Sequence, residues 1–345
     1  GLSIAAAKAE FDRLRVSFDL WHGEAHVHSR LETMIADLKA NGGTVQDAGA
    51  WIIDVAEESD STTVPPLILE KSEGGVMYAG TDLATIADRV DTINPDRVLY
   101  VVDQRQHLHF EQVFRAARRI GLVKNGRPGL EHIGFGTVNG PDGKPFKTRA
   151  GGVLKLSDLI DQAKAAAYAR FDELGLAGDL TDAERSEAAS RLAVATIRFA
   201  DLQNNRRSDY IFNLERFSAA EGRTGPYLCY SAVRAGAIIR KAAAEKGAKP
   251  GTIDRLDSDA QRALALTLLA FPTAVASAFD KRLPNLLCEH LFGLAQAFNT
   301  FYTQHHILSE PDAGRQAALL ALTAAVEAQL RLGLELLGIE VPAKM

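Results

Sequence analysis

Cysteine is nearly absent. Cys229 and Cys288 are the two in 345 residues, too few for a disulfide framework and without metal-ligand spacing, a usage that suits a reducing cytoplasm. A strong charge of either sign is also missing. With 39 basic against 44 acidic residues the net charge is −5, so no global field draws the chain to nucleic acid or anionic lipid, and any RNA contact must use a local patch. Long hydrophobic runs are lacking too. The longest stretch free of acidic, basic and histidine residues, Ala263 to Phe279, has 17 residues with Pro272 inside it, short of the ~20 that a membrane span needs, and it reads as a pair of core helices. The start, GLSIAAAKAEF, has no basic segment leading into an apolar one, so no signal peptide is expected. Internal repeats and low-complexity segments are absent. Histidines pair at 26 and 28, at 107 and 109, and at 305 and 306, but none has a cysteine or carboxylate at ligand spacing, so no metal site is expected.

What is present is an ordinary globular composition, 46% hydrophobic, with length for about two or three domains. Residues 1 to 155 mix elements. Glu10 to Leu14 and Ser29 to Ala40 have helical spacing, whereas Ala50 to Val55, Pro66 to Glu70, Val98 to Val102 and Glu131 to Thr137 are short apolar segments with β-branched content. This is the pattern of part of an α/β layer. Phe110 to Ile120 resumes helical periodicity, which puts residues 103 to 109 on a strand-to-helix turn, where open α/β sheets bind ligands. From residue 156 to 222 the chain becomes mainly helical, with Ser157 and Thr181 as expected N-caps and Glu184 at the capping-box position of the second. From 223 to 345 it is all-helical, with amphipathic segments at 227–246, 257–279, 285–304 and 312–337 that suit an antiparallel bundle.

The stretch from 134 to 152, GFGTVNGPDGKPFKTRAGG, carries the most chemistry. Glycines including Gly134, Gly136, Gly151 and Gly152 let a backbone approach a ligand closely, and Lys144 and Lys147 could neutralise charge on a polyphosphate. Pro-Asp-Gly at 141–143 equally suits a solvated hairpin.

The same string resembles the nucleotide-binding loop of arginyl-tRNA synthetases, where GPDGKPFKTR-type sequences stand in for the KMSKS motif of class I aminoacyl-tRNA synthetases. Other segments are similar to that family in the family's order. These are FDLW with Gly23-Glu24, LEKSEGGVMYAGTDLATI at 69–86, YVVDQRQHLHFEQVF at 100–114, ADLQNNRRSDYIF at 200–212, EGRTGPYL at 221–228, LAQAFNTFY at 294–302 and LGLELLGIEVPAKM at the end. The resemblance implies a fold that is α/β and then all-α. It comprises the second half of a Rossmann-type class I catalytic domain (1–155), a helical stem-contact connector (156–222) and a helical anticodon-binding domain (223–345).

It also implies site residues. A guanidinium has five donors and no acceptor, so its recognition needs a carboxylate and further acceptors. In the family, residues matching Tyr78, Asp82 and Gln106 hold the substrate arginine; read without it, Asp82 suits a helix N-terminal charge and Tyr78 a core aromatic. Lys144 and Lys147 take the catalytic role of the KMSKS-like loop, and His109, His132, Gly134 and Gly136 the ATP side. Tyr227, Tyr230 and Arg234 are placed toward tRNA. ATP with Mg2+ is expected as a substrate, with no tightly bound cofactor, alongside L-arginine and tRNA as partners, a cytoplasmic location and no membrane.

Departures from the family pattern are Gly80 between Tyr78 and Asp82, and Cys229 and Ala232 where glutamine and histidine are usual. The 223–345 segment has 13 basic and 11 acidic residues and so no broad basic stripe. No HIGH-type tetrapeptide is present, which implies an incomplete adenylation site in this chain and an exposed or partner-covered sheet face near 98–102 and 131–137. Three readings follow: part of an arginine–tRNA ligase, completed if need be by another chain; a stand-alone paralogue that binds arginine, tRNA or a partner protein; or an enzyme transferring arginine to another acceptor.

Overall fold

The computed structural model describes residues 2–75, 77–140, 142–144, 155–174 and 180–345. Two compact units emerge, one formed by residues 18–136 and the other by 1–17 with 137–345. In chain order the first elements are α1 (Leu2–Arg13), α2 (His28–Ala40), β1 (Val45–Asp47), β2 (Ala50–Ile53), β3 (Leu67–Glu70), α3 (Tyr78–Thr92), β4 (Arg97–Asp103), α4 (His107–Arg119) and β5 (Gly129–Phe135). There follow β6 (Val138–Asn139), α5 (Leu156–Leu174), α6 (Asp182–Leu202), β7 (Tyr210–Ile211) and α7 (Leu214–Phe217). The last are α8 (Gly225–Lys246), α9 (Asp259–Leu269), α10 (Phe271–Lys281), α11 (Pro284–Gln304) and α12 (Ala313–Leu336).

In the 18–136 unit, β1, β2 and β3 form an antiparallel sheet, and β4 pairs parallel with β5 in a register that sets Tyr100 opposite His132 and Asp103 opposite Phe135. The period-2 alternation of β4 buries Val98 and Tyr100 on one face, where they join Leu83 and Ile86 of α3 and Phe110, Val113 and Phe114 of α4 in one core. The opposite face keeps Leu99 (46% exposed), Val101 (63%) and, from β5, Phe135 (42%) open to solvent. Parallel sheets are ordinarily covered on both faces, so this exposed apolar face is unusual and agrees with the expectation for 98–102 and 131–137.

The second unit is built on helix pairs: α5 against α6, α6 against α8, α8 against α12, and α9 against α11. Phe171, Phe199, Leu228, Leu264, Leu291, Leu294, Phe301 and Leu320 are interior side chains of its core. Local signals start and stop these helices where side chains meet orphan backbone groups. The Thr181 hydroxyl accepts from the Glu184 amide while Glu184 reaches back to the Thr181 amide, closing the expected capping box. Thr224 caps α8, whose chain then reverses at Gly247, a residue at φ +62.

Several expectations need correction. Ser157 lies inside the first turn of α5, which starts at Leu156, and so does not cap it. The strand-to-helix turn after β4 is shorter than 103–109, because a 3-10 turn at Gln104–Gln106 leads directly into α4 at His107. The run from Ala263 to Phe279 is a helix pair broken at Ala270, but only one face of it is core: Leu264, Leu268 and Phe271 are buried, whereas Leu266 (68%), Leu269 (76%) and Phe279 (67%) face solvent. The stretches Asp259–Lys281 and Ala313–Leu336 have the length and hydropathy to cross a membrane, the first interrupted by that break.

Candidate functional site

The helix that carries Tyr78 and Asp82 is aimed by a tight turn. After β3 the backbone passes Gly74 and Gly75 at φ +83 and +101, a region side chains avoid, and the Met77 amide then bonds back to the Leu69 carbonyl at 2.8 Å. Helix α3 starts at Tyr78 and runs unbroken through Gly80. Its buried stripe is Ala79, Gly80, Leu83, Ala84, Ile86 and Ala87; the i, i+3/i+4 stripe beside it, Tyr78, Asp82, Thr85 and Arg89, lines a cavity of about 590 Å3.

The other walls come from far along the chain. Gln106, on the 3-10 turn after β4, and His109, in the first turn of α4, line the same cavity, as do Leu20, His22, His26 and Tyr100. Tyr78, Asp82 and Gln106 are thus brought together. His109 Nε2 lies 2.7 Å from Asp82 Oδ2, with Asp82 28% and His109 34% exposed, so the carboxylate faces a ring nitrogen at the cavity wall. Tyr100 is buried, and desolvation pushes its hydroxyl up to about 12, which keeps it a neutral donor; the Arg89 guanidinium stands over its ring at 5.2 Å.

At the C-terminal ends of β4 and β5 the chain is equally constrained. Asp103 takes the Arg105 amide and guanidinium, which hold its carboxyl down at about 2. Gly134 sits where an added Cβ would fall 2.2 Å from Gln104 Oε1, so glycine lets the strand end pack against that side chain. His132 lies against Phe110, with centroids 5.6 Å apart, and its Nδ1 is 3.4 Å from that of His107. Gly136 follows β5, half-buried.

Lys144 belongs to the other unit. The segment leading to it is tied down by β6 pairing parallel with β7 and by Asp209 accepting from the Thr137 amide at 2.7 Å. A turn with Gly143 at φ +73 then bonds the Gly140 amide to the Lys144 carbonyl, leaving the lysine exposed. Lys147, Gly151 and Gly152 lie outside the described residues. This turn borders a second hollow of about 650 Å3 lined by Asn139, Gly143, Gln203, Arg216 and Arg223, which sequence reasoning missed.

In the helical region, Tyr227 packs edge-on to Phe292, and Arg234 lies over the Tyr302 ring at 4.1 Å with Asn299 beside it. Tyr230 is half-buried next to Ala167 and Phe171. Cys229 and Ala232, the two departures from the family pattern, are completely buried, so those replacements alter packing inside α8 and not its solvent face.

Of the remaining cavity residues, Thr85 and Arg89 follow from Tyr78 by helical spacing alone. Tyr100, His22 and His26 do not, since nothing local in the sequence links them to α3.

Comparison with known proteins places these features. A family profile for the class I (R) tRNA synthetase catalytic domain matches residues 3–214, and one for the DALR anticodon-binding domain matches 228–345. A Hyphomonas neptunium protein named arginine–tRNA ligase is 51% identical over the whole of this chain, which spans 58% of that relative's length. Among solved structures, arginyl-tRNA synthetase from Plasmodium falciparum is 25% identical with a TM-score of 0.79 over 99% of this chain and 57% of its own. The Thermus thermophilus arginyl-tRNA synthetase shares the fold with a TM-score of 0.84 at 24% identity, over 99% of this chain and 63% of its own.

Proposed function

This chain belongs to the arginyl-tRNA synthetase family, and we propose that it supplies the guanidinium pocket, the lysine-bearing nucleotide loop and the anticodon-binding domain of an ATP-dependent arginine–tRNA ligase. The observation that carries the proposal is the convergence of Tyr78, Asp82 and Gln106 on one cavity from two separate chain segments. Asp82 offers the carboxylate that a planar fork of N–H donors needs, and the polar side chains beside it offer hydrogen-bond partners. On binding, the guanidinium takes the place of the His109 ring at Asp82 Oδ2.

In the same reading Lys144 and Lys147 neutralise charge on the phosphates of ATP, which enters with Mg2+ as substrate, and His109, His132, Gly134 and Gly136 border the nucleotide side. Residues 1–155 act as the catalytic part, 156–222 as a connector and 223–345 as the tRNA-contacting part, through Tyr227, Tyr230 and Arg234. Cys229 and Ala232 are buried, so neither replacement removes a side chain from the surface of α8. Reaction takes place in the cytoplasm, and the rest of the adenylation site comes from outside these residues.

The test uses the whole protein. Lys144→Ala lowers arginine-dependent ATP–pyrophosphate exchange by ten-fold or more while calorimetry shows arginine binding unchanged. Unchanged exchange would remove the loop from the chemistry.

A further inference from the structure

The cavity has a second group of polar side chains on its rim, and this group has no part in guanidinium recognition. We propose that His22, His26 and Asp88 form a binding site for a divalent transition-metal ion of imidazole preference, such as Zn2+. His22 stands in the segment before the 3-10 turn Glu24–Val27, His26 within that turn, and Asp88 in the third turn of α3. One donor atom from each side chain lies within 4.8 Å of the other two. His26 Nε2 is 3.6 Å from Asp88 Oδ2, and the His22 and His26 rings face one another with centroids 3.9 Å apart.

These separations are close to what the metal demands. With bonds of about 2.1 Å, tetrahedral donors lie about 3.4 Å apart, so the His26–Asp88 pair is already at the required spacing and His22 needs only to swing out of the stack. Two imidazoles and one carboxylate leave the remaining positions to water, the donor set of an open zinc-type site and not of Mg2+ or Ca2+, which prefer oxygen throughout.

Asp88 divides its oxygens between two neighbours. Oδ1 faces Arg30 Nε at 3.9 Å, a long contact since Arg30 also pairs with Asp91, and Oδ2 faces His26. The carboxylate therefore retains a free direction for a metal. An ion there ties the 18–27 segment to α3. It also sets positive charge six residues along the helix from Asp82, about 9 Å in axial rise, so it opposes a cationic substrate in the same cavity.

Zn2+ titrated by calorimetry into the tag-free 345-residue chain tests this. One saturable site is expected, with affinity reduced at least ten-fold in His22→Gln, His26→Gln and Asp88→Asn. It should be unchanged in His28→Gln, His107→Gln and His109→Gln, which remove three other imidazoles of this unit. The two ligand histidines are exposed, so their variants retain the fold, and Asp88→Asn gives an independent arm from α3. Absence of saturable Zn2+ binding, binding that survives His22→Gln and His26→Gln, or loss in any of the three controls would overturn the proposal.

Discussion

Gly225 opens α8 against α6, and an alanine there has no room. An ideal Cβ would fall 2.1 Å from the Ala195 carbonyl oxygen, 2.5 Å from its carbon and 3.1 Å from Phe199 Cβ, against ordinary contacts of about 3.5–4.0 Å. The obstacle is backbone inside a helix, so one helix must move by more than an ångström. Overpacking of this kind costs about 1–3 kcal/mol, and the helix preference of alanine over glycine returns at most about 1 kcal/mol. A net loss of about 1–2 kcal/mol lowers the melting temperature of a unit of this size by about 2–8 °C. Gly293, within α11, has nothing within 4 Å of its added Cβ, so Gly293→Ala should stabilise by about 0.5–1 kcal/mol. Thermal unfolding followed by far-ultraviolet circular dichroism reads both. A Gly225→Ala chain as stable as wild type would refute the packing of α6 on α8 described here, and a Gly293→Ala chain less stable than wild type would refute the open space beside α11.

Three further outcomes are expected. Thr181→Ala removes the hydroxyl half of the capping box, leaving the Glu184 carboxylate on the residue-181 amide, and should cost about 1 kcal/mol in a urea titration, with Thr181→Ser recovering most of it. Hydrogen bonds from Arg115, and then from the Glu57 amide, hold the Asp60 carboxyl at about 2, below its usual 3.8. Its contribution is therefore complete above pH 3.8 and lost as pH falls toward 2, and Asp60→Asn should flatten the decline of the urea midpoint over that window. Burial pushes the thiols of Cys229 and Cys288 up to about 12, so neither should react with a disulfide reagent at pH 8 until denaturant is added. Rapid labelling of the native chain would place one of them at the surface.

Much of this fold was legible because its elements carry their own boundary signals. Thr181 with Glu184 marks a helix start by side-chain chemistry alone, and the β-branched run at 98–102 falls inside β4. Elements without such signals were missed: β1 is three residues long and exposed throughout, and β6 and β7 exist only because they pair with each other across some 70 residues of chain. The misjudged burial at 263–279 has a different origin. Apolar composition says that a face wants cover, but only tertiary packing decides which face gets it, and Leu266, Leu269 and Phe279 are left outside. In the site, Tyr78 and Asp82 could be paired by helical spacing and Gln106 by family resemblance. Asp88 and His26 could not, since 62 positions separate two groups that end 3.6 Å apart.

Calorimetric titration of L-arginine into the 345-residue chain and its Asp82→Ala variant tests the proposed guanidinium pocket most directly. Removing one partner of a hydrogen-bonded charge pair costs about 2–5 kcal/mol, so saturable binding in wild type should weaken by about 30-fold or more in Asp82→Ala. Equal affinity in the two chains, or no binding by the wild type, would contradict the account.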